Sequence, residues 1–215
     1  MAKKSQTNDR SPAPTIAPLG RRAMQAEQTR RDILQAARRR FATQGYAATS
    51  LKDVAADAGV SVQTLYDSVG SKADLVRRLN DLMDVEANVG EIAASIGTEQ
   101  DPRVIARIPA RITRRLLERC DDILRAALTG AQAEPELAEV VDEGGRRHRA
   151  GAAGVAGRLA AMGALRKGLS VDDATSTIAV LADYRTALVL IDDHDFTLAQ
   201  LEDWIAETTA RAVLV

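Results

Sequence analysis

Apolar positions in this chain recur mainly at intervals of three and four, the spacing of one helix face. A first helix is predicted from about Ala23 to Gln44. Its inner face is Ile33, Ala36, Ala37, Phe41 and Ala42; Arg30, Arg31, Arg38, Arg39 and Arg40 crowd its outer faces, and Gly45 stops it. Leu51, Val54, Ala55 and Ala58 then give a short helix an apolar face. Ser50 and Asp53 form a capping box at its start, in which each side chain satisfies a first-turn N–H. Gly59 ends it in a left-handed turn, and Val60 packs into the corner. Ser61 caps a second short helix, VQTLYDSV, with Val62, Leu65 and Val69 inward. Phe41 and Tyr46 plug the small core these elements enclose. Ser71 with Asp74 opens another capped helix, whose stripe of Leu75, Val76, Leu79, Leu82 and Met83 continues to about Val89.

The remainder is also helical. Asp101 caps a helix with Pro102 at its first position. Pro109 is expected to interrupt or restart it before it runs to about Leu128, with Ile112, Leu116, Leu117, Ile123 and Leu124 inward and Gly130 as its end. Pro135 opens the next helix, towards Leu159, Met162 and Leu165. Glycine costs about 1 kcal/mol relative to Ala inside a helix, so the glycines between Gly144 and Gly154 should loosen or break it, unless close packing or a cavity wall explains them. Ser170 caps a helix expected to reach about Ile191, and Thr197 caps the last one. The fold class is all-α.

Composition sharpens this picture at few points. Aromatic residues make up only 3% of the 215, which suits closely packed helices rich in Ala and Leu. No apolar run is expected to span a membrane, and the polar N-terminus has no secretory core. The single cysteine, Cys120, cannot form an internal disulfide, so the cytoplasm is the expected compartment. Charge is more informative. Residues 1–80 carry 14 Lys and Arg against 7 Asp and Glu, whereas residues 81–215 carry 15 against 23. A net +7 front suits phosphate binding, which releases counterions; a net −8 rear should stay off DNA. Residues 1–22 read as a disordered basic tail (Lys3, Lys4, Arg10, Arg21, Arg22) that either reaches a minor groove or is simply solvated.

Two short helices joined at a Gly turn make a helix-turn-helix. Its second helix presents Gln63, Thr64, Tyr66 and Asp67 away from its partner, where they can meet a DNA groove. Asp67 can accept from cytosine N4, but pairing with a neighbouring Arg or Lys is the preferred reading. Lys72 adds a full charge to a positive helix start, which favours a phosphate. Farther on, Arg103, Arg107, Arg111, Arg114, Arg115 and Arg119 form a second basic cluster, open to an acidic effector but more simply a solvated or paired face. Two histidines, His148 and His194, and no ligand cluster at metal spacing argue against an enzyme or a metal site, and no cofactor is expected. An apolar pocket is expected among the helices between residues 80 and 185, with Leu82, Met83, Leu116, Leu117, Cys120, Met162 and Tyr184 as candidate walls.

Thr29 to Asp74, and in particular ILQAARRRFATQGYAATSLKDVAADAGVSVQTLYDSVGSKADLV, resembles the DNA-binding module of the tetracycline-repressor (TetR) family. The resemblance implies phosphate contacts from Thr49, Ser50, Tyr66 and Lys72, with Gln63, Thr64 and Asp67 near base edges. One departure stands out. Ser68 and Val69 occupy positions where members commonly carry a His or Tyr and then a Phe; Val69 keeps an apolar plug. The family further implies a helical domain that binds a small effector, and the apolar walls expected of its pocket make an apolar one the expectation. It also implies a homodimer through the last two long helices, with Val180, Leu181, Tyr184, Leu188 and Ile191 as the partner stripe. The expected organisation is therefore a tail over 1–22, a three-helix DNA-binding domain over 23–79 and an effector-binding and dimerisation domain over 80–215. The expected function is a ligand-responsive regulator on a palindromic operator, set against a helical DNA-binding adaptor without effector and an all-α enzyme.

Overall fold

The structure, a computed structural model, describes residues 20–132 and 134–215. Lys3, Lys4 and Arg10 of the expected tail lie outside the described residues, while Arg21 and Arg22 already belong to the first helix. Ten α-helices and one short 3-10 turn make up the regular structure of the described residues, and the fold is all-α.

Helix α1 (Arg21–Ala48) buries Ile33, Leu34, Ala36, Ala37, Phe41 and Tyr46. It breaks where expected, at Gly45, whose φ of 76° suits a residue without a side chain. Ala42 proves to be exposed, because the three-helix core needs only the stripe through Phe41. Helices α2 (Leu51–Asp57) and α3 (Val62–Val69) meet at Gly59, φ 66°. Ser50 accepts the Asp53 amide at 3.1 Å, but Asp53 takes the Ser50 hydroxyl rather than closing the box on the Ser50 amide. Leu65 and Val69 are buried under α3, whereas Val62, expected inward, is solvent-facing at the helix start.

Helix α4 (Lys72–Glu86) carries the complete capping box of Ser71 and Asp74. It ends earlier than its apolar stripe suggests, since Asn88 adopts a left-handed conformation before α5 (Val89–Ala94). Leu82 faces solvent, one helix position off the buried line of Leu75, Leu79 and Met83. The hub is α6 (Pro102–Ala131), against which α1, α4, α7 and α10 all pack. Pro109 does not interrupt α6. It lies buried in the helix, and the irregular residue is instead Cys120, φ −138°. Gly130 lies just inside α6, which ends one residue later at Ala131, and a Cβ on it would run into Leu137 and the Tyr46 ring.

Helix α7 (Pro135–Ala161) runs unbroken through all its glycines and stops before Met162, which caps its end. The expected helix from Ser170 to Ile191 is two: α8 (Val171–Leu181) and α9 (Tyr184–Asp192). Asp183 accepts the Arg185 amide at 2.7 Å and starts α9 afresh. Helix α10 (Leu198–Val213) closes the chain with a second full capping box, Thr197 with Gln200. By length and composition alone, Val171–Asp192 would pass for a membrane span, with mean hydropathy 1.3 over its apolar window. That corrects the sequence reading. The break at Ala182 and Asp183, however, divides it into two helices and puts a capping carboxylate in its middle.

One apolar core runs continuously from α1 and α3 through α4 into α6, α7 and α10. A second, smaller core joins Ile105, Val155, Leu159, Ile178 and Val213 at the far end. Helices α1 and α4 both pack against α6 and so join the front helices to the rear ones.

Candidate DNA-binding surface and interior cavity

Helix α3 is amphipathic and lies on the outside of its small bundle. With Leu65 and Val69 inward, Gln63, Thr64, Tyr66 and Asp67 stand in solvent, Tyr66 half-exposed at 50%. The Gln63 amide donates to Asp67 at 2.8 Å, so the partner of Asp67 is a glutamine one turn back rather than the Arg or Lys expected. This i, i+4 bond uses one amide proton of Gln63 and leaves its carbonyl and second proton free. Thr64 and Ser61 share a hydroxyl bond of 2.8 Å at the helix start.

The flanking phosphate candidates divide. Ser50 is exposed. Thr49 is not: it is 3% exposed and its hydroxyl donates to the Gly45 carbonyl at 2.9 Å, so its side chain seals the turn after α1. Lys72 opens α4 beside the helix-turn-helix. Its ammonium sits 4.1 Å from the centroid of the Tyr46 ring and 3.4 Å from the Ala47 carbonyl. Partial burial there holds its pKa below the usual lysine value, while Glu134 pulls the other way. A cation resting on an aromatic face is held ready at a set place.

Two connections behind this surface escaped the sequence reading. Tyr46 donates to Glu134 at 2.7 Å, tying the end of α1 to the start of α7. Burial first, and then that carboxylate, raises the phenol's pKa. Arg38 spans Asp122 at 2.6 Å and 2.9 Å, Glu86 at 2.6 Å, and the Arg119 carbonyl. Its pKa is raised chiefly by the Asp122 bond. Arg38 is therefore a clamp between α1, α4 and α6 rather than part of a phosphate-facing run. Arg40 is likewise paired, with Asp57 at 2.6 Å. Three of the six arginines of the rear basic cluster are paired: Arg107 and Arg114 both hold Glu202 of α10, at 2.8 Å and 3.0 Å, and Arg115 holds Glu118.

Between α4, α6, α7 and the α8–α9 junction lies a cavity of about 260 Å³. Met83, Leu116 and Tyr184 of the sequence candidates line it. Four others lie elsewhere. Leu82 is on the solvent side of α4, and Leu117 and Cys120 are buried in the main core on the other flank of α6. Met162 packs on the second core beyond the end of α7. Cys120 is also chemically quiet, because burial pushes its thiol pKa up to about 11. Gly144, Gly145 and Gly151 form part of the cavity wall, which accounts for the small residues of α7. Asn80 and His148 line it too and were not singled out as walls; their helical phase beside Met83 and Gly144 was the available signal.

Residues 33–79 match the family described as "Bacterial regulatory proteins, tetR family". Over these residues the chain is similar to the TetR family. Among curated proteins none matches the chain. Solved structures of TetR regulators share its fold over nearly their whole length. NalD, the secondary repressor of the MexAB-OprM multidrug efflux pump in Pseudomonas aeruginosa, is 20% identical with a TM-score of 0.69, covering 89% of this chain and 98% of its own. FadR from Bacillus subtilis, solved with stearoyl-CoA, is 19% identical with a TM-score of 0.69, covering 85% and 98%. SmeT, solved with triclosan, is 18% identical with a TM-score of 0.70, covering 87% and 92%. At these identities the likeness is one of fold.

Proposed function

We propose that this TetR-family chain is a cytoplasmic, ligand-responsive transcriptional repressor that binds a palindromic operator as a homodimer. The observation that carries the reading is the solvent-facing polar side of α3, with Gln63 and Tyr66 outward, on a module of net positive charge. In this mechanism α3 enters the major groove and the start of α4, with Lys72, meets a phosphate. Ser50 and Tyr66 add backbone contacts that set register without reading sequence. Gln63 and Thr64 face base edges, and Asp67 orients Gln63. The dimer forms through α8, α9 and α10, since a palindrome needs two recognition helices at fixed spacing.

Helix α4 couples the two activities. It begins at Lys72 and lines the cavity with Met83, about 16 Å farther along at 1.5 Å per residue. A ligand that displaces α4 displaces Lys72 with it. By linkage, an effector that weakens DNA binding itself binds the DNA-bound form more weakly. The ligands in SmeT and FadR support an effector role for the cavity, and the cavity argues against an adaptor without ligand. Nothing in the family points to an enzyme.

Selection of binding sites from random duplexes tests the reading. Lys72→Ala should weaken binding to every selected sequence and lower the salt-dependence slope by about one. Gln63→Ala should change the selected sequence itself. An unchanged salt slope for Lys72→Ala removes that residue from the phosphate contacts, and failure of the chain to select any sequence rejects the regulator.

A further inference from the structure

The cavity has a chemical character that narrows its ligand. Its volume, about 260 Å³, lies below the roughly 300 Å³ at which drug-sized sites begin. Its charges are already compensated. Arg147 pairs with Asp84 at 3.3 Å across the wall, and Asp183 holds the Arg185 amide at 2.7 Å and its guanidinium at 3.4 Å. A charged ligand would therefore bury a charge without a counter-ion. The wall also offers a cation little aromatic surface. Tyr184 is the only Phe, Trp or Tyr among the described residues of the wall, and Arg185 already lies 5.0 Å from its ring centroid.

The other polar groups on the wall are not equivalent. Thr113 donates to the Ala182 carbonyl at 2.7 Å, and His148 Nε2 lies 2.8 Å from the Ala179 carbonyl, which can only accept. Asn80 differs. It is 8% exposed, it lines the cavity, and its side-chain amide has no hydrogen-bond partner among the described residues. The amide is open to the cavity rather than sealed in the core, so its donors and its acceptor are free to meet a polar group of a ligand. We infer that the cavity takes a small, uncharged, mostly apolar molecule with one hydroxyl or carbonyl group, and that Asn80 binds that group. The inference rests on the ligand-responsive reading above and specifies its ligand. It also places the polar contact on α4, eight residues or about 12 Å from Lys72, so that ligand occupancy acts directly on the helix that meets DNA.

The test uses the full chain, titrated by calorimetry with four probes on one skeleton: naphthalene, 2-naphthol, 2-naphthoate and 2-naphthyl-trimethylammonium. DNA binding of the same preparation is measured in parallel. 2-Naphthol should bind roughly three- to tenfold more tightly than naphthalene, the worth of one net hydrogen bond. The anion and the cation should bind more weakly than either. Asn80→Leu, close in volume, should abolish the preference for 2-naphthol while retaining naphthalene. The inference is overturned if the wild-type chain prefers a charged probe or takes up neither neutral one. It is also overturned if folded Asn80→Leu keeps the naphthol preference. The wild-type ranking decides by itself should the variant not fold. Loss of DNA binding alone, with the probe ranking intact, counts against the regulator reading and leaves the ligand class standing.

Discussion

Arg38 shows how one side chain can organise the interface between the two halves of the molecule. Its partners Glu86 and Asp122 are 48 and 84 residues away in sequence, so nothing in the run Arg38, Arg39, Arg40 distinguishes it from its exposed neighbour. The Arg38 and Asp122 side chains are each 26% exposed, and removing the cation would leave two carboxylates facing each other without it. Arg38→Ala should therefore lower unfolding stability by about 1–3 kcal/mol in urea titration, more than an ordinary surface pair contributes. A loss no larger than that of Arg39→Ala would remove the clamp from the account. Asp74 carries a pH dependence. Hydrogen bonds from the Ser71 amide and hydroxyl hold its carboxyl below the ordinary value of 3.8. Because the folded pKa is the lower one, its contribution is complete above the unfolded value and disappears as pH falls through the folded value. Melting temperatures should accordingly drop below about pH 4, and Asp74→Asn, which still accepts but does not titrate there, should make that drop shallower. The capping role of Asp74 was legible in the spacing Ser-x-x-Asp; the clamp role of Arg38 was not, because only packing brings its partners together.

At the scale of elements, the caps were the reliable signal and the interruptions were not. Ser50, Ser61, Ser71, Ser170 and Thr197 each accept the amide three residues on, and each helix start fell where those residues stand. The breaks inside long helices obey tertiary demands instead. Pro109 costs about 3 kcal/mol inside a helix, and packing of α6 by α1, α4, α7 and α10 offsets it, whereas the irregular residue Cys120 stands where the neighbouring Arg119 carbonyl accepts Arg38. The glycines of α6 and α7 make the same point in energetic terms. A methyl group on Gly130 would lie within 2.9 Å of the Tyr46 ring and press on Leu137, whereas one on Gly154 would meet nothing within 4 Å. Gly130→Ala should destabilise the chain by about 1–3 kcal/mol through overpacking. Gly154→Ala should stabilise it by about 0.4–1 kcal/mol through the unfolded state. Paired thermal melts decide between these opposite signs, and equal effects of one sign would mean that α7 is not the regular helix described.

At the scale of the whole molecule, the apolar surface left uncovered matters as much as the core. Within Val171–Asp192 only 28% of the apolar window is buried, with Val180 64% and Val189 49% exposed. Contiguous exposed apolar surface on a folded chain marks an interaction face, and a self-complementary two-fold contact is its commonest use. The same face would place two net-positive front portions on one side of the assembly and join the net-negative rears, so that the dimer presents both α3 helices to a duplex. Val180→Asp tests this without disturbing the fold, because an exposed substitution usually changes stability by no more than about 0.5 kcal/mol. A buried pair of like carboxylates at a two-fold contact, by contrast, is strongly unfavourable. The variant should keep the wild-type circular dichroism spectrum, shift from dimer to monomer in light scattering at micromolar concentration, and lose roughly tenfold or more in affinity for a two-half-site duplex. Its affinity for a single half-site should stay near wild type. A wild-type chain that is already monomeric under those conditions, or a Val180→Asp variant that stays dimeric, would move the partner face away from α8 and α9.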